Sequence, residues 1–326
     1  MKKKIAIAAG GESGEYEISI QSAAMVEKHL NKELFEPYVI VFKGNDWYYI
    51  AADSSHHDIN KDDFSLLLEG VVIKFDAVFI AIHGTPGEDG KLQGYFDIMN
   101  IPYTACNQTT SALTFNKFFC NLLVSSLGYD VAPSIILHKG WKINPDDIVT
   151  VTGLPCFVKP NAGGSSVGMS KVLKAEYIPL AVSKALTECD EVLIEGFISG
   201  REITCGVLSD HGHVRSLPIT EVISKNDFFD YEAKYTEGLA QEITPAEISE
   251  EIERECRFIS ESLYAGLNCQ GVVRFDYIFN DTGIYFLEVN TVPGLSPSSI
   301  VPKQSEIEGI SLKDLFTIIL DQALDQ

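Results

Sequence analysis

Positive charge is scarce in this chain. Its 326 residues carry 25 Lys and Arg against 46 Asp and Glu, a formal net charge of −21. Nucleic acids and anionic membranes both need a basic surface, so neither is expected as a partner. The seven cysteines are odd in number and scattered, with no Cys-x-x-Cys spacing. That argues against a disulfide framework or a zinc cage and for a reducing, cytoplasmic setting. Long apolar runs are missing as well, and none reaches the length of a membrane span. The short run at residues 5–9, behind Met1-Lys2-Lys3-Lys4, imitates a signal peptide but breaks at Gly10-Gly11, so it reads as a buried first strand. Neither Gly-x-Gly-x-x-Gly nor Gly-Lys-Ser/Thr occurs, which argues against a dinucleotide fingerprint and a Walker loop. There are no internal repeats and no low-complexity tracts.

What is present is an ordinary globular composition, 45% apolar and 22% charged, in a chain long enough for two or three domains. The first third alternates strand and helix signals: an apolar run at 5–9, helical spacing at 19–30, then apolar runs at 38–42 and 77–82. This rhythm predicts a parallel sheet with ligand loops at the carboxyl ends of its strands. Gly10-Gly11-Glu12-Ser13 and His83-Gly84 sit at two such ends. Around residue 104 the pattern changes. A helix is expected over 109–127, carrying Lys117, followed by short strands at 133–137, 156–159, 171–173 and 192–195 and a helix near 177–188. The last third begins near Gly196 and ends in a helix over 312–324. Residues 221–241, polar and aromatic with little periodicity, are expected to form a long loop acting as a lid. The domain boundaries that follow are 1–104, 105–195 and 196–326.

The chemistry concentrates in the last strand pair. Arg274-Phe275-Asp276 and Glu288-Val289-Asn290 flank the turn signal Asn280-Asp281-Thr282-Gly283. A three-residue loop over 281–283 predicts Asp276 opposite Glu288 and Arg274 opposite Asn290. Side chains two apart on a strand share a face, so two carboxylates, a carboxamide and a guanidinium crowd one patch. Facing carboxylates repel unless a cation lies between them, and an all-oxygen set suits Mg²⁺ rather than zinc. This is the layout of a nucleotide-triphosphate site. In so acidic a chain such a site must gather its few cations locally, which directs attention to Lys117, Lys159, Lys234 and Arg274.

Other segments each admit two readings. Lys159-Pro160-Asn161-Ala162-Gly163-Gly164-Ser165-Ser166-Val167-Gly168 is either a loop whose backbone amides reach phosphate or a flexible hairpin. Glu195, ending an apolar strand before Gly196-Phe197-Ile198, and Glu202, after a Ser-Gly turn, are ribose-hydroxyl acceptors or simply solvated acids. Glu15, just before a helix start, either complements the helix dipole or holds a substrate amine. His83 stands in a loop dense in glycine and acid, and a lone histidine is more often structural than catalytic. Lys234-Tyr235 either closes over an anion or is solvated. The Pro293-Gly294 turn either presents a backbone N–H to an oxyanion or is an ordinary turn.

Together these segments resemble the D-alanine–D-alanine ligases, members of the ATP-grasp superfamily, over essentially the whole length. The resemblance rests on residues 10–19, His83-Gly84 through Gln93-Gly94, Val158 through Gly168, Asp230 through Tyr235, and Arg274 through Ser299. It implies an ATP-grasp fold that mixes α/β and α+β parts: an N-terminal Rossmann-like parallel-sheet domain, a small central α+β domain and a C-terminal α+β domain. It implies ATP and two Mg²⁺ (or Mn²⁺) ions, D-alanine as substrate, cell-wall precursor synthesis and a homodimer. Residue by residue, Lys117, Lys159 and Ser166 match triphosphate contacts, with Ser165 in the loop that closes over it. Glu195, Gly196, Phe197, Ile198, Glu202 and Phe228 match adenine and ribose contacts. Asp276, Glu288 and Asn290 match the metal ligands. Glu15, linked to Ser165 and Tyr235, matches the holder of the first substrate's ammonium. Arg274 and the Gly294 N–H match the oxyanion site, Lys234 a phosphate contact, Ser299 a ligand for the second carboxylate, and His83 a substrate-pocket histidine. Tyr235 favours D-alanine over D-lactate at the second position. One departure is Gly163, where many relatives carry a charged residue.

Overall fold

The computed structural model describes residues 2–51, 53–164, 166–224 and 240–325. Three sheets organise it. The first is built on β1 (Lys3–Gly10), whose last six residues are buried because both faces of the strand are covered. It lies parallel to β2 (Phe35–Lys43) and to β7 (Ala77–Ile80), with α1 (Tyr16–His29) as the crossover. This is the expected parallel core. The sheet then continues antiparallel through β3 (Asp46–Ile50), β4 (His56–Asn60), β5 (Ser65–Leu68) and β6 (Val71–Ile73), in the order β6-β5-β4-β3-β2-β1-β7. The links between these added strands are too short for a crossover helix, so they meander.

The second sheet has the order β11-β10-β12-β9. Its strands β9 (Ser134–His138), β10 (Cys156–Pro160), β11 (Ser170–Val172) and β12 (Glu191–Gly196) pair antiparallel throughout. Helices α5 (Pro145–Thr152) and α6 (Ile178–Ala185) cover it, burying Ile148, Val158, Val182 and Ile194 in one cluster. The third sheet runs β16-β15-β13-β17-β18-β8, with β14 beside β13. Its strands are β8 (Asp130–Val131), β13 (Arg201–Asp210), β14 (His213–Ser216), β15 (Thr220–Ser224), β16 (Ala240–Ile243), β17 (Val272–Asn280) and β18 (Gly283–Asn290). A long helix, α7 (Glu250–Gly266), lays Cys256, Ile259 and Leu263 on it. Ser249 caps that helix through the Ile252 N–H, and three glutamates in its first turn suit the dipole.

Three expectations need correction. The helix over 109–127 is two helices, α3 (Gln108–Phe115) and α4 (Lys117–Ser126), broken at Asn116. Asn116 is extended and its side chain accepts from the Phe119 N–H, so the second helix has its own cap. The loop over 221–241 is not a loop at its ends: Glu221 pairs with Ile243 and Ser224 with Ala240, because β15 and β16 extend the third sheet. The hairpin turn holds two residues, not three, since Asn280 pairs with Gly283. The expected register survives because Leu287 is bulged out, shifting the pairing by one between Tyr277 and Asp276.

The last element returns to the first sheet. Helix α9 (Leu312–Leu324) packs Leu315, Phe316 and Ile319 against Ile5, Ile7 and Phe79, with the Phe79 and Phe316 rings edge to face at 5.7 Å. The two ends of the chain therefore share one core.

Candidate active site

One cavity of about 910 Å³ is lined from the second and third sheets and from the segments that follow β1 and β7 of the first. The hairpin supplies its floor. Asp276 faces Glu288 and Arg274 faces Asn290 across β17 and β18. Arg274 forks onto Asp276, Nε and Nη2 each donating at 2.8 Å. Asp276 also accepts from the Thr204 hydroxyl at 2.5 Å and from Asn290 Nδ2 at 3.0 Å. Burial opposes the charge on Arg274, but Asp276 beside it more than compensates, and the guanidinium is held above its ordinary range. The bulge turns Leu287 and Glu288 toward the same cavity.

The helix break at Asn116 makes Lys117 the first residue of α4. A cation is disfavoured at a helix N-terminus, so propensity does not explain a lysine there. Asn161 sets the position: its carbonyl accepts from the Lys117 N–H at 3.0 Å and its side chain from the Phe118 N–H at 2.9 Å. The Lys117 ammonium then donates to Glu288 at 2.8 Å. Burial works against that charge, yet Glu288 raises its pKa overall. Lys159, on β10, pairs with Glu195 on the neighbouring β12, and Asn121 donates to the other Glu195 oxygen at 2.7 Å. Lysines 117 and 159, Ser166, Glu195, Gly196, Phe197, Ile198, Glu202, Arg274, Asp276 and Glu288 all line the cavity. The N–H groups of Gly196 and Phe197 are engaged by the carbonyls of Pro133 and Pro155.

Glu15 is the residue before α1. Its carboxylate lies where a side chain on Gly164 would stand, 3.0 Å from that Cβ position. It therefore meets the glycine-serine loop at Gly164. His83 is engaged within the protein. It is buried, Nδ1 bonds the Val292 carbonyl at 2.8 Å and Nε2 bonds Ser22 at 2.9 Å. Both ring nitrogens are thus spent within the protein, and burial holds the imidazole pKa down. Ser299 stands at the N-cap position of α8 (Ile300–Ile307) and accepts from the Ser296 N–H, while its hydroxyl sits 2.7 Å from the Cβ position of Gly294. Ser165, Phe228, Lys234 and Tyr235 lie outside the described residues.

The donor chemistry fits a hard dication. Two carboxylates and an amide offer oxygen alone and leave most of the coordination sphere to water and phosphate. Among the described residues no three His, Cys, Asp or Glu side chains form a closed metal cage. Sequence reasoning missed Thr204, Asn121 and Asn161, which orient Asp276, Glu195 and Lys117 respectively. Only Asn161, next to the Lys-Pro motif, offered any signal.

A small antiparallel sheet with a lysine and a glycine-serine loop, facing a second sheet with a carboxylate hairpin, defines an ATP-grasp protein. Comparisons with known proteins narrow this. A model described as the D-ala D-ala ligase N-terminus matches residues 4–106, and one described as the C-terminus matches residues 123–321. A D-alanine–D-alanine ligase of Christiangramia forsetii is 47% identical, covering 100% of both chains. D-alanyl-alanine synthetase A of Vibrio cholerae superposes with a TM-score of 0.89 at 27% identity, over 100% of this chain and 99% of that one. The D-alanine–D-alanine ligase of Bacillus anthracis, solved complexed with ATP, gives 0.80 at 28% identity, over 100% and 98%. The chain belongs to the D-alanine–D-alanine ligase family.

Proposed function

We propose that this protein joins two D-alanine molecules into D-alanyl-D-alanine, converting ATP to ADP and phosphate, to supply a cell-wall precursor. The observation that carries this reading is the hairpin register: Asp276 opposite Glu288, with Arg274, Lys117 and Lys159 lining the same cavity. The names of the relatives and the ATP complex of the Bacillus anthracis protein support it.

The first D-alanine's carboxylate oxygen attacks the γ-phosphorus, the bond to the β-phosphate oxygen breaks, and an acyl phosphate and ADP form. Lys117 and Lys159 offset the charge that otherwise repels the attacking carboxylate. Asp276, Glu288 and Asn290 are the residues that would hold Mg²⁺, whose chemistry here is neutralising the triphosphate. Glu15 takes the first ammonium, with Ser165 and Tyr235 as its partners. The second amine then attacks the acyl carbon. Arg274 and the Gly294 N–H stabilise the oxyanion, and phosphate leaves as the amine loses its proton. Glu195, the backbone of Gly196, Phe197 and Ile198, Glu202 and Phe228 bind the nucleoside, Lys234 a phosphate, and Ser299 the second carboxylate. Residues 1–104, 105–195 and 196–326 act as three domains, and the working form is a cytoplasmic homodimer. Among the described residues no helix is long and apolar enough to cross a membrane.

Incubation with ATP, Mg²⁺ and D-alanine, with L-alanine as control, tests the proposal. Mass spectrometry should find the dipeptide in the D-alanine reaction alone. Its absence from both sinks the reading.

A further inference from the structure

The turn that carries Gly294 is held by groups from the other end of the chain. Glu88 accepts two backbone N–H groups, one on each carboxylate oxygen: Gly84 at 2.7 Å and Val292 at 2.9 Å. His83 grips the other side of the same peptide, bonding the Val292 carbonyl at 2.8 Å. A carbonyl only accepts, so Nδ1 carries the ring proton and Nε2 is left as an acceptor. The Ser22 hydroxyl must then donate to Nε2, at 2.9 Å. That leaves the Ser22 oxygen to accept from the Leu295 N–H, at 3.1 Å. Each hydrogen lies in a single direction, and Ser22 and His83 are both buried. The network also reaches Glu15: the Ser13 hydroxyl donates to the His83 carbonyl at 2.7 Å and accepts from the Glu15 N–H at 3.2 Å.

This clasp ties the residue before α1, which carries Glu15, to the turn over residues 292–295. We propose that Ser22, His83 and Glu88 are positioning residues that hold the 292–295 turn in register with Glu15, so that the acyl phosphate is met by the second amine rather than by water. The proposal rests on the ligase reading above. It moves His83 from the substrate pocket to the frame behind it.

The failure it predicts is specific. If the turn drifts, the acyl phosphate still forms, because Lys117, Lys159, Asp276 and Glu288 line the cavity from elements outside the clasp. Water then attacks the acyl carbon, the carbon–oxygen bond to phosphate breaks, and D-alanine and phosphate return with ATP converted to ADP. A misplacement of about 1 Å costs on the order of 100-fold in a positioned reaction.

The test compares the unsubstituted chain with Ser22→Ala and Glu88→Gln. Phosphate release and dipeptide are measured in the same reaction, with nucleotide affinity and thermal midpoint as fold controls. Ser22→Ala removes a single oxygen, so it keeps the proposal testable if Glu88→Gln does not fold. The expected result is a dipeptide rate about 10- to 100-fold lower and a KM for ATP that changes little. The ratio of phosphate to dipeptide should rise well above one. A folded, nucleotide-binding Ser22→Ala variant whose ratio stays at one overturns the clasp and leaves the ligase reading standing. No dipeptide from the unsubstituted chain overturns both.

Discussion

Arg274→Ala is the sharpest perturbation of the site. The guanidinium makes two N–H···O bonds of 2.8 Å to Asp276 and is the side chain assigned to the oxyanion. Two losses follow, and they are separable. Breaking a buried ion pair by removing one partner costs about 3–5 kcal/mol of stability. Asp276 keeps the Thr204 hydroxyl and the Asn290 amide as donors, so the lower end, about 3 kcal/mol, is expected. Removing one oxyanion donor costs about 2.7–4 kcal/mol in the barrier, roughly 10²–10³ in kcat. Arg274→Lys restores a point charge but not the fork, so it should recover stability more fully than rate. Coupled ADP release at saturating substrate reads kcat, urea midpoints read stability, and a fluorescent nucleotide reads affinity. ATP binding should survive in both variants. Turnover of Arg274→Ala within about tenfold of the unsubstituted chain, short of the donor-loss figure, would refute the oxyanion argument.

Three further outcomes are expected. Burial pushes the Glu88 carboxyl up to about 7, so its neutral form is favoured on folding. The stability it contributes is complete below the unfolded carboxyl range and lost as pH rises through about 7. The loss is at most about 3 kcal/mol, and Glu88→Gln should lack it. Equal slopes of urea midpoint between pH 5 and pH 8 in the two proteins would contradict this. Six of the seven cysteines are buried and Cys189 is partly exposed, while burial pushes the Cys120 thiol up to about 12. A disulfide reagent at pH 8 should therefore titrate one thiol in the native protein and all of them after denaturation; several fast thiols would count against the packing described. In Gly294→Ala the new Cβ meets the Ser299 hydroxyl at 2.7 Å. The hydroxyl must move, and losing one hydrogen bond to the second substrate should raise its KM by about tenfold with the KM for ATP unchanged. An unaltered KM would remove Ser299 from that subsite.

The carboxylate hairpin was legible because both its strands and its turn residues are local. Even so, the expected register came from two errors that cancel. The turn is one residue shorter than read, and the Leu287 bulge restores the count. No side-chain type dictates a bulge at a leucine between Phe286 and Glu288, so sequence reading had no access to it. The capping asparagine at 116 was visible in principle, but apolar spacing on both sides of it read as one helix. The hydrogen bonds of His83 were illegible for a different reason. Its partners Ser22 and Val292 lie 61 and 209 residues away in sequence, and no local pattern encodes contacts at that separation. The docking of α9 on the first sheet is non-local in the same way: Phe316 is amphipathic-helix material by its spacing, but its burial against Phe79 is set by topology.

The strong acidity of the chain and a triphosphate site are reconciled by pairing. Among the described residues five cations line the cavity, and the three least exposed are each matched to a carboxylate in it: Lys117 to Glu288, Lys159 to Glu195, Arg274 to Asp276. Buried ion pairs of this kind are weak contributors to stability, because desolvation offsets most of their attraction. Three of them in one cavity therefore need a reason other than folding. In the ligase reading these pairs are exchange sites: Asp276 and Glu288 would hold a dication, Glu195 would turn to the nucleoside, the two lysines to phosphate oxygens and Arg274 to the oxyanion. Charge is then redistributed among partners already desolvated, instead of being brought in against the net charge of −21. On this argument a hydrophobic isostere at Lys117 or Lys159 removes half of an exchange and leaves its carboxylate unmatched. The acidic background of the chain then acts directly on the incoming nucleotide.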